Sequence, residues 1–339
     1  MHRLLALRPL LASSVLVLIT ITGCSDDKNI PPEPVGPPEP VCNKDVTIRI
    51  DAHSPQSMVA DWSQPVRITS GLNTLCPQDA IEISADGQYL YVLYTEDLLD
   101  SMPPDRILAR ENNTYRLERT GGPGEFGEPE YYDLAKGTSG SLDGEVSFAG
   151  DSLVYFHSLR LDNTGFQQGT TDDILDMYVA DLDNGVPGPG RNLGQPVNSE
   201  YLDGEHAIHP DGVSLYFASD RPGGHGQADL YVTQWDGSAW SAPVNLGDTI
   251  NSLVRDYQVT FTADGDTMYF ASERNLLIGV AIYRSHRNGG SWSMPELVIQ
   301  GIVGEPSLTA DGRLMYFVHV LSDSAGNFDA DVWYSQRTR

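Results

Sequence analysis

The chain has 339 residues, with 47 acidic against 21 basic side chains and a formal net charge of −26. That balance excludes nucleic acid as a partner, because phosphate backbones need a basic face, and excludes polybasic attachment to anionic lipid heads. Hydrophobic residues at 40% allow a sizeable core, and 33 Gly and 22 Pro with few apolar periodic runs favour a turn-rich all-β protein.

The N-terminus reads as an address. Arg3 and Arg8 give a positive start, and Leu10 to Thr22 is an almost unbroken apolar run of about 13 residues. Spanning a bilayer takes roughly 20, so the run reads as the apolar region of a signal peptide. It meets Ile21-Thr22-Gly23-Cys24, which resembles the bacterial lipobox: an aliphatic residue, two small ones, then the cysteine to be lipidated. The resemblance implies a signal peptide over 1–23 and an acylated Cys24. Several acyl chains anchor stably where one does not. Ser25 follows the cysteine, where Asp usually signals inner-membrane retention. The implied address is therefore the outer membrane, facing periplasm or cell surface.

Residues 24–44 form a tether. The stretch 25–41, SDDKNIPPEPVGPPEPV, is dominated by Pro and acids and reads as a semi-extended spacer near polyproline II. Of the three cysteines, Cys24 carries lipid, which leaves Cys42 and Cys76. In an exported protein two remaining cysteines suggest one disulfide; two free thiols are the alternative. There is no CxxC or Cys/His cluster of zinc-site spacing.

Residues 45–339 are a repeat. Residues 205–251 and 258–300 share one order: a strand, an Asp-Gly turn, a strand ending Tyr-Phe, a Ser-x-Arg loop, a strand around Tyr, then Trp-Ser-x-Pro. The unit recurs with variations at 80–121, 143–198 and 305–336, the second of these with a decayed turn at Ala149-Gly150. The turn glycines Gly87, Gly150, Gly212, Gly265 and Gly312 lie 63, 62, 53 and 47 residues apart. Four short strands per unit near that period predict a β-propeller of five four-stranded blades. The Asp-Gly turns supply the positive φ of a tight hairpin. The fifth unit stops after three strands, and Trp62-Ser63-Gln64-Pro65-Val66 matches the fourth-strand segment Trp240-Ser241-Ala242-Pro243-Val244. The N-terminal strand is therefore expected to close the last blade and remove a free sheet edge.

Residues 62–339 resemble the WD-like propeller repeat of the TolB type, found in bacterial exported proteins. The pattern stands here as His209-Pro210-Asp211-Gly212, Leu215-Tyr216-Phe217-Ala218-Ser219-Asp220-Arg221, Gly223-Gly224 and Asp229-Leu230-Tyr231. The resemblance implies a scaffold, usually for protein or glycan contact.

Strand order puts the start of each innermost strand and the loop between strands two and three on one face. Counting six residues back from each turn Asp or its equivalent gives Ala80, Asp143, Glu205, Gln258 and Glu305. Eight back gives Gln78, Ser141, Asp203, Asp256 and Val303. These residues should ring one mouth of the central channel, beside the loop arginines Arg160, Arg221 and Arg274. Such a ring could hold Ca²⁺ through oxygen ligands or receive basic groups of a partner. It could equally pair with the arginines and hold blades together, with Arg221–Asp229 as one such pair. His206 and His209 lie near the channel and His225 in a loop, without fixed ligand spacing. No Gly-x-Ser-x-Gly, phosphate loop or dinucleotide fingerprint is present.

These features lead to an expected function. The protein reads as an outer-membrane-anchored lipoprotein, not an enzyme. Its propeller is a binding module for an envelope protein, peptide or glycan, with no cofactor unless Ca²⁺. The membrane is met through the lipid anchor only. The alternative is a carbohydrate-active enzyme, with Asp143, Glu205 and Glu305 as candidate acids; a third reading is an assembly component without a small ligand.

Overall fold

The computed structural model describes residues 54–69, 71–73, 76–95, 113–134, 136, 141–165, 175–322 and 328–338. The signal peptide, Cys24, the tether and Cys42 lie outside the described residues. Cys76 is disulfide-bonded, and its partner is outside them too. Two short strands open the described chain, β1 (Gln56–Ser57) and β2 (Val66–Arg67). Blade 1 follows as β3 (Gln78–Ile83), β4 (Tyr89–Tyr94), β5 (Asn113–Glu118) and β6 (Glu130–Tyr131). Blade 2 holds β7 (Ser141–Ala149), β8 (Leu153–Leu159) and β9 (Asp176–Asp183), edged by β10 (Val186–Pro187) and β11 (Arg191–Asn192). Blade 3 holds β12 (Asp203–Ile208), β13 (Ser214–Ser219), β14 (Asp229–Gln234) and β15 (Val244–Asn245). Blade 4 holds β16 (Asp256–Phe261), β17 (Thr267–Ser272), β18 (Ala281–Asn288), β19 (Ser291–Trp292) and β20 (Glu296–Gln300). Blade 5 holds β21 (Val303–Leu308), β22 (Leu314–Ser322) and β23 (Phe328–Gln336).

The five antiparallel sheets form a five-bladed β-propeller. The turn chemistry is as the sequence predicts. Gly87, Gly150, Gly212, Gly265 and Gly312 all have positive φ, between 61° and 73°. The turn aspartates Asp86, Asp211, Asp264 and Asp311 accept backbone N–H bonds from the residues two further on, at 2.9–3.0 Å. An Asx side chain that binds its own turn in this way fixes where one strand ends and the next begins.

The core is divided among the gaps between blades. Phe156, Phe217, Phe270 and Phe317 stand at one repeat position and are fully buried. Burial of such a ring stabilises by about 1.5–3 kcal/mol. Aromatic pairs bridge neighbouring blades, among them Tyr91–Phe148 and Tyr216–Phe261, with centroids 4.9 and 4.8 Å apart.

The ring closes through the N-terminal segment. Val66 pairs with Tyr334 and Arg67 with Trp333, so β2 is the fourth strand of blade 5. Arg67 reaches the buried Asp331 at 2.5 Å. Asn73 accepts from the Val332 N–H at 2.9 Å and donates to its carbonyl at 3.0 Å. Asn198 and Asn251 make the same two bonds to Met177 and Leu230 in blades 2 and 3. One device beyond the expected closure is present: β1 adds to the outer edge of blade 4 by pairing with β20. The segment before β2 therefore clasps two blades.

Candidate active site at the channel

Three of the predicted acids and all three loop arginines combine into a repeated staple. Arg160 meets Asp143 at 3.1 Å, Arg221 meets Asp203 at 2.5 Å and Arg274 meets Asp256 at 2.7 Å. In each case the guanidinium Nε donates to the serine two residues earlier, at 2.8–2.9 Å. Each plane also lies over aromatic rings, as Arg160 over Tyr178 at 4.3 Å and Arg274 over Tyr283 at 4.9 Å. Arg221 and Arg274 further donate to the Val197 and Ile250 carbonyls of the preceding connection, both at 2.6 Å. The Ser-x-Arg element thus fastens blades 3 and 4 to the loop before each. The partner of Arg221 is Asp203. Asp229 instead receives the backbone N–H groups of His225 and Gly226 and the side-chain amide of Asn245.

The channel is lined from a different position. On every innermost strand the register shifts at one common place, with a second shift earlier in β7, and the residue at the common place takes a left-handed backbone. These residues are Ala80, Glu145, Glu205, Gln258 and Glu305, with φ between 48° and 54°. A non-glycine residue held there costs on the order of 1–2 kcal/mol. Five equal bulges re-aim these side chains off the sheet faces, as bulges do.

Glu205, Gln258 and Glu305 are therefore placed together, whereas Asp143 is not the member that blade 2 supplies. The turn between β7 and β8 spans 150–152, two residues shorter than 209–213 between β12 and β13. Counting back six from Ala149 overshoots, and the equivalent residue is Glu145. Of the residues eight back, Asp203 and Asp256 belong to the staples described above. Gln78 is fully buried and Val303 packs in the core between blades 4 and 5. His209 is also structural: its ring packs on Phe261 at 4.9 Å and its Nε2 lies 3.2 Å from the Gly265 carbonyl.

The channel residues enclose a cavity of about 20 Å³, lined among others by Glu82, Glu145, His206, Gln258 and Glu305. That is room for about one water molecule. Ser307 donates to Glu82 at 2.6 Å. Glu305 accepts from the Ile81 N–H at 3.1 Å and from the Gln258 amide at 3.4 Å. The Glu305 N–H in turn donates to Gln258 at 3.0 Å. The Nδ1 of His157 lies 3.0 Å from a Glu145 oxygen, and the Nδ1 of His206 lies 3.9 Å from the same atom. Among the described residues, no lysine or arginine lines this cavity.

The electrostatics follow from that composition. Burial pushes Glu82 up to about 8, only partly offset by the Ser307 hydroxyl. Burial holds Glu145 well above the usual carboxylate range against the His206 N–H, and nearby Asp79 and Glu82 add to the effect. Glu205 is raised by burial and by the Glu145 charge. Glu305 is raised by burial and by neighbouring Asp79. Burial lowers both imidazoles, His206 to about 3, so they are neutral at physiological pH. Acids that share one dry site cannot all ionise, so these carboxyls hold protons that exposed ones release.

Sequence reading missed Glu82, Glu145 and His157. Glu82 sits where the other blades carry Ser147, Ala207, Thr260 and Ser307, and His157 where they carry Leu93, Ala218, Ala271 and Val318. The signal was a departure from the repeat, visible once the units are aligned by register.

A larger groove, about 640 Å³, lies at the opposite face between the turns of blades 1 and 5. Its arginines Arg119, Arg313 and Arg337 face Asp86 and Asp311, and among the described residues none of the channel acids lines it.

No protein-family model and no curated protein matches the chain. Among solved structures, one described as a glycoside hydrolase superposes with a TM-score of 0.52 at 9% identity, covering 82% of this chain and 92% of the other. A second, described as an RGII complex, gives 0.53 at 9% identity, covering 84% and 93%. The putative TolB of Agrobacterium tumefaciens gives 0.43 at 20% identity, covering 78% and 84%. The first two share the fold. The expectation of a non-catalytic binding module, and of no enzymatic activity, is corrected here in favour of the carbohydrate-active alternative. The loop arginines expected at a ligand face neutralise Asp143, Asp203 and Asp256 instead, and the channel keeps its carboxyls in a fold shared with a glycoside hydrolase.

Proposed function

We propose that the protein is a carbohydrate-active enzyme that hydrolyses glycosidic bonds with carboxyl groups of its central channel. The observation that supports this is the convergence of Glu82, Glu145 and Glu305 on one cavity that, among the described residues, has no lysine or arginine in its lining. As it stands that cavity holds one water, so a sugar reaches these carboxyls only when the channel residues around them move apart. Glycoside hydrolysis needs one protonated and one ionised carboxyl flanking the scissile bond. Glu82, raised to about 8, keeps its proton at neutral pH and is the candidate acid. Glu305, itself raised by burial, accepts two N–H bonds that oppose the rise, and is the candidate base. In this reading Glu82 gives its proton to the departing glycosidic oxygen. A water activated by Glu305 bonds to the anomeric carbon and leaves its proton on that carboxylate. The hydrolase activity named for one structure of the same fold is carried over to this chain as part of the proposal.

The address belongs to the same proposal. Acylated Cys24 holds the propeller at the outer membrane, on a Pro-rich spacer that lets it reach envelope or extracellular glycans. Partition of the wild type into the membrane fraction, against a soluble Cys24→Ala variant, tests it.

The experiment for the activity is product release. The full-length chain is incubated with plant and microbial polysaccharides and with aryl glycosides, and new reducing ends are measured. The expected result is release from at least one substrate, lowered by about 100-fold or more in Glu82→Gln and in Glu305→Gln. No release from any substrate, or release unchanged in both variants, overturns the assignment.

A further inference from the structure

We propose that Glu145, His157 and His206 form a binding site for one divalent transition-metal ion of the Zn²⁺ class, between blades 2 and 3. The three side chains each present one ligand atom, and these atoms lie within 4.8 Å of one another. Glu145 comes from the bulge of β7, His157 from β8 and His206 from β12.

The repeat supplies the first argument. At the His157 position the other blades carry Leu93, Ala218, Ala271 and Val318. At the His206 position, next after the bulge, they carry Ile81, Val146, Val259 and Pro306. Two positions that are apolar in four blades are thus imidazole only where they meet each other and a carboxylate. A structural role of the fold does not require this, because the other four gaps are built without it.

The second argument is unsatisfied polarity. His206 is 2% exposed, and among the described residues neither of its ring nitrogens makes a well-formed hydrogen bond, although the Tyr155 backbone is close enough to act on the ring. A buried imidazole left this way is costly unless something occupies its lone pair. The adjoining cavity has room for one water, which suits a fourth ligand.

The donor set selects the ion. Two imidazoles and one carboxylate with an open position suit Zn²⁺ and its neighbours. Ca²⁺ takes oxygen ligands, six to eight of them, so this site differs in kind from a carboxylate ring around Ca²⁺. The inference does not depend on glycosidase activity, and binding is read without any substrate.

The test uses the untagged full-length chain after dialysis against a chelator. Zn²⁺ is titrated by calorimetry, Co²⁺ is added as a visible-absorption probe, and circular dichroism monitors folding. The expected result is one equivalent of Zn²⁺, d–d bands of a low-coordinate nitrogen–oxygen Co²⁺ site, and a higher thermal midpoint with metal. His157→Ala and His206→Ala should each weaken Zn²⁺ binding by more than about 100-fold. Glu145→Gln keeps the side-chain volume and should weaken it too, which covers the case in which an alanine variant fails to fold. No stoichiometric binding by the folded wild type overturns the site. So does binding that survives all three substitutions, or a preference for Ca²⁺ over Zn²⁺.

Discussion

Arg221 donates to the Asp203 carboxylate at 2.5 Å, and Asp203 is completely buried. The same pair recurs as Arg274–Asp256 and Arg160–Asp143. Removing one partner of a buried pair leaves an uncompensated charge, at a cost of about 3–5 kcal/mol. Arg221→Met should therefore lower stability by that amount in urea unfolding. Glycoside hydrolysis by the remaining folded fraction should be unchanged. A variant as stable as wild type would mean that the staple does not hold the blades.

Ring closure predicts a second loss. Trp62 is 3% exposed, sits edge-on to Tyr269 and donates to its hydroxyl at 3.3 Å. Trp62→Ala should cost about 3–5 kcal/mol through the cavity it leaves between blades 4 and 5. Tyr269→Phe removes the hydroxyl that meets Trp62 and Arg284 but leaves the ring packed, and should cost less, about 1–2 kcal/mol. Denaturation midpoints of the two variants check the order.

Stability should depend on pH through Glu82. Its folded pKa of about 8 lies above the ordinary 4.5, so the folded state holds the proton more tightly than the unfolded chain. The contribution is fully present below about 4.5 and is lost as pH rises through 8. With chelator present, the wild-type melting temperature should fall across that window. Glu82→Gln should flatten the fall and be the more stable protein above it. A wild-type curve that rises across the window would contradict the sign.

Much of this was legible in the sequence, for local reasons. Asp211-Gly212 and its equivalents encode a hairpin within five residues, and Trp62-Ser63 repeats Trp240-Ser241 closely enough to reveal the closure. What escaped reading depends on register. Blade 2 has a shortened turn, so Glu145 stands where counting from Ala149 points to Asp143. Arg221 chooses Asp203, at the start of the adjacent strand, because Asp229 is taken up by the amides of its own loop. The β1 clasp consists of Gln56 and Ser57, too short and too polar to carry a pattern. His157 and Glu82 looked like ordinary variation until strand pairing put them beside the channel.

Activity should fall with alkaline pH. If Glu82 is the proton donor, kcat/KM should decline as pH passes about 8, where this carboxyl loses its proton. The profile is measured with substrate well below KM, so that it reports the free enzyme to which that value belongs. A rate that stays level well above that pH would move the acid role away from Glu82.

The measurement that tests the central claim most directly compares kcat/KM for two glycosides of one sugar, in the wild type and in Glu82→Gln. One glycoside carries a nitrophenyl leaving group and the other an alkyl leaving group. A channel acid that protonates the leaving oxygen matters most where that oxygen is basic. The alkyl glycoside should lose about 100-fold or more, and the nitrophenyl glycoside far less. Equal rates in wild type and variant, for both substrates, would contradict catalysis by the channel carboxyls.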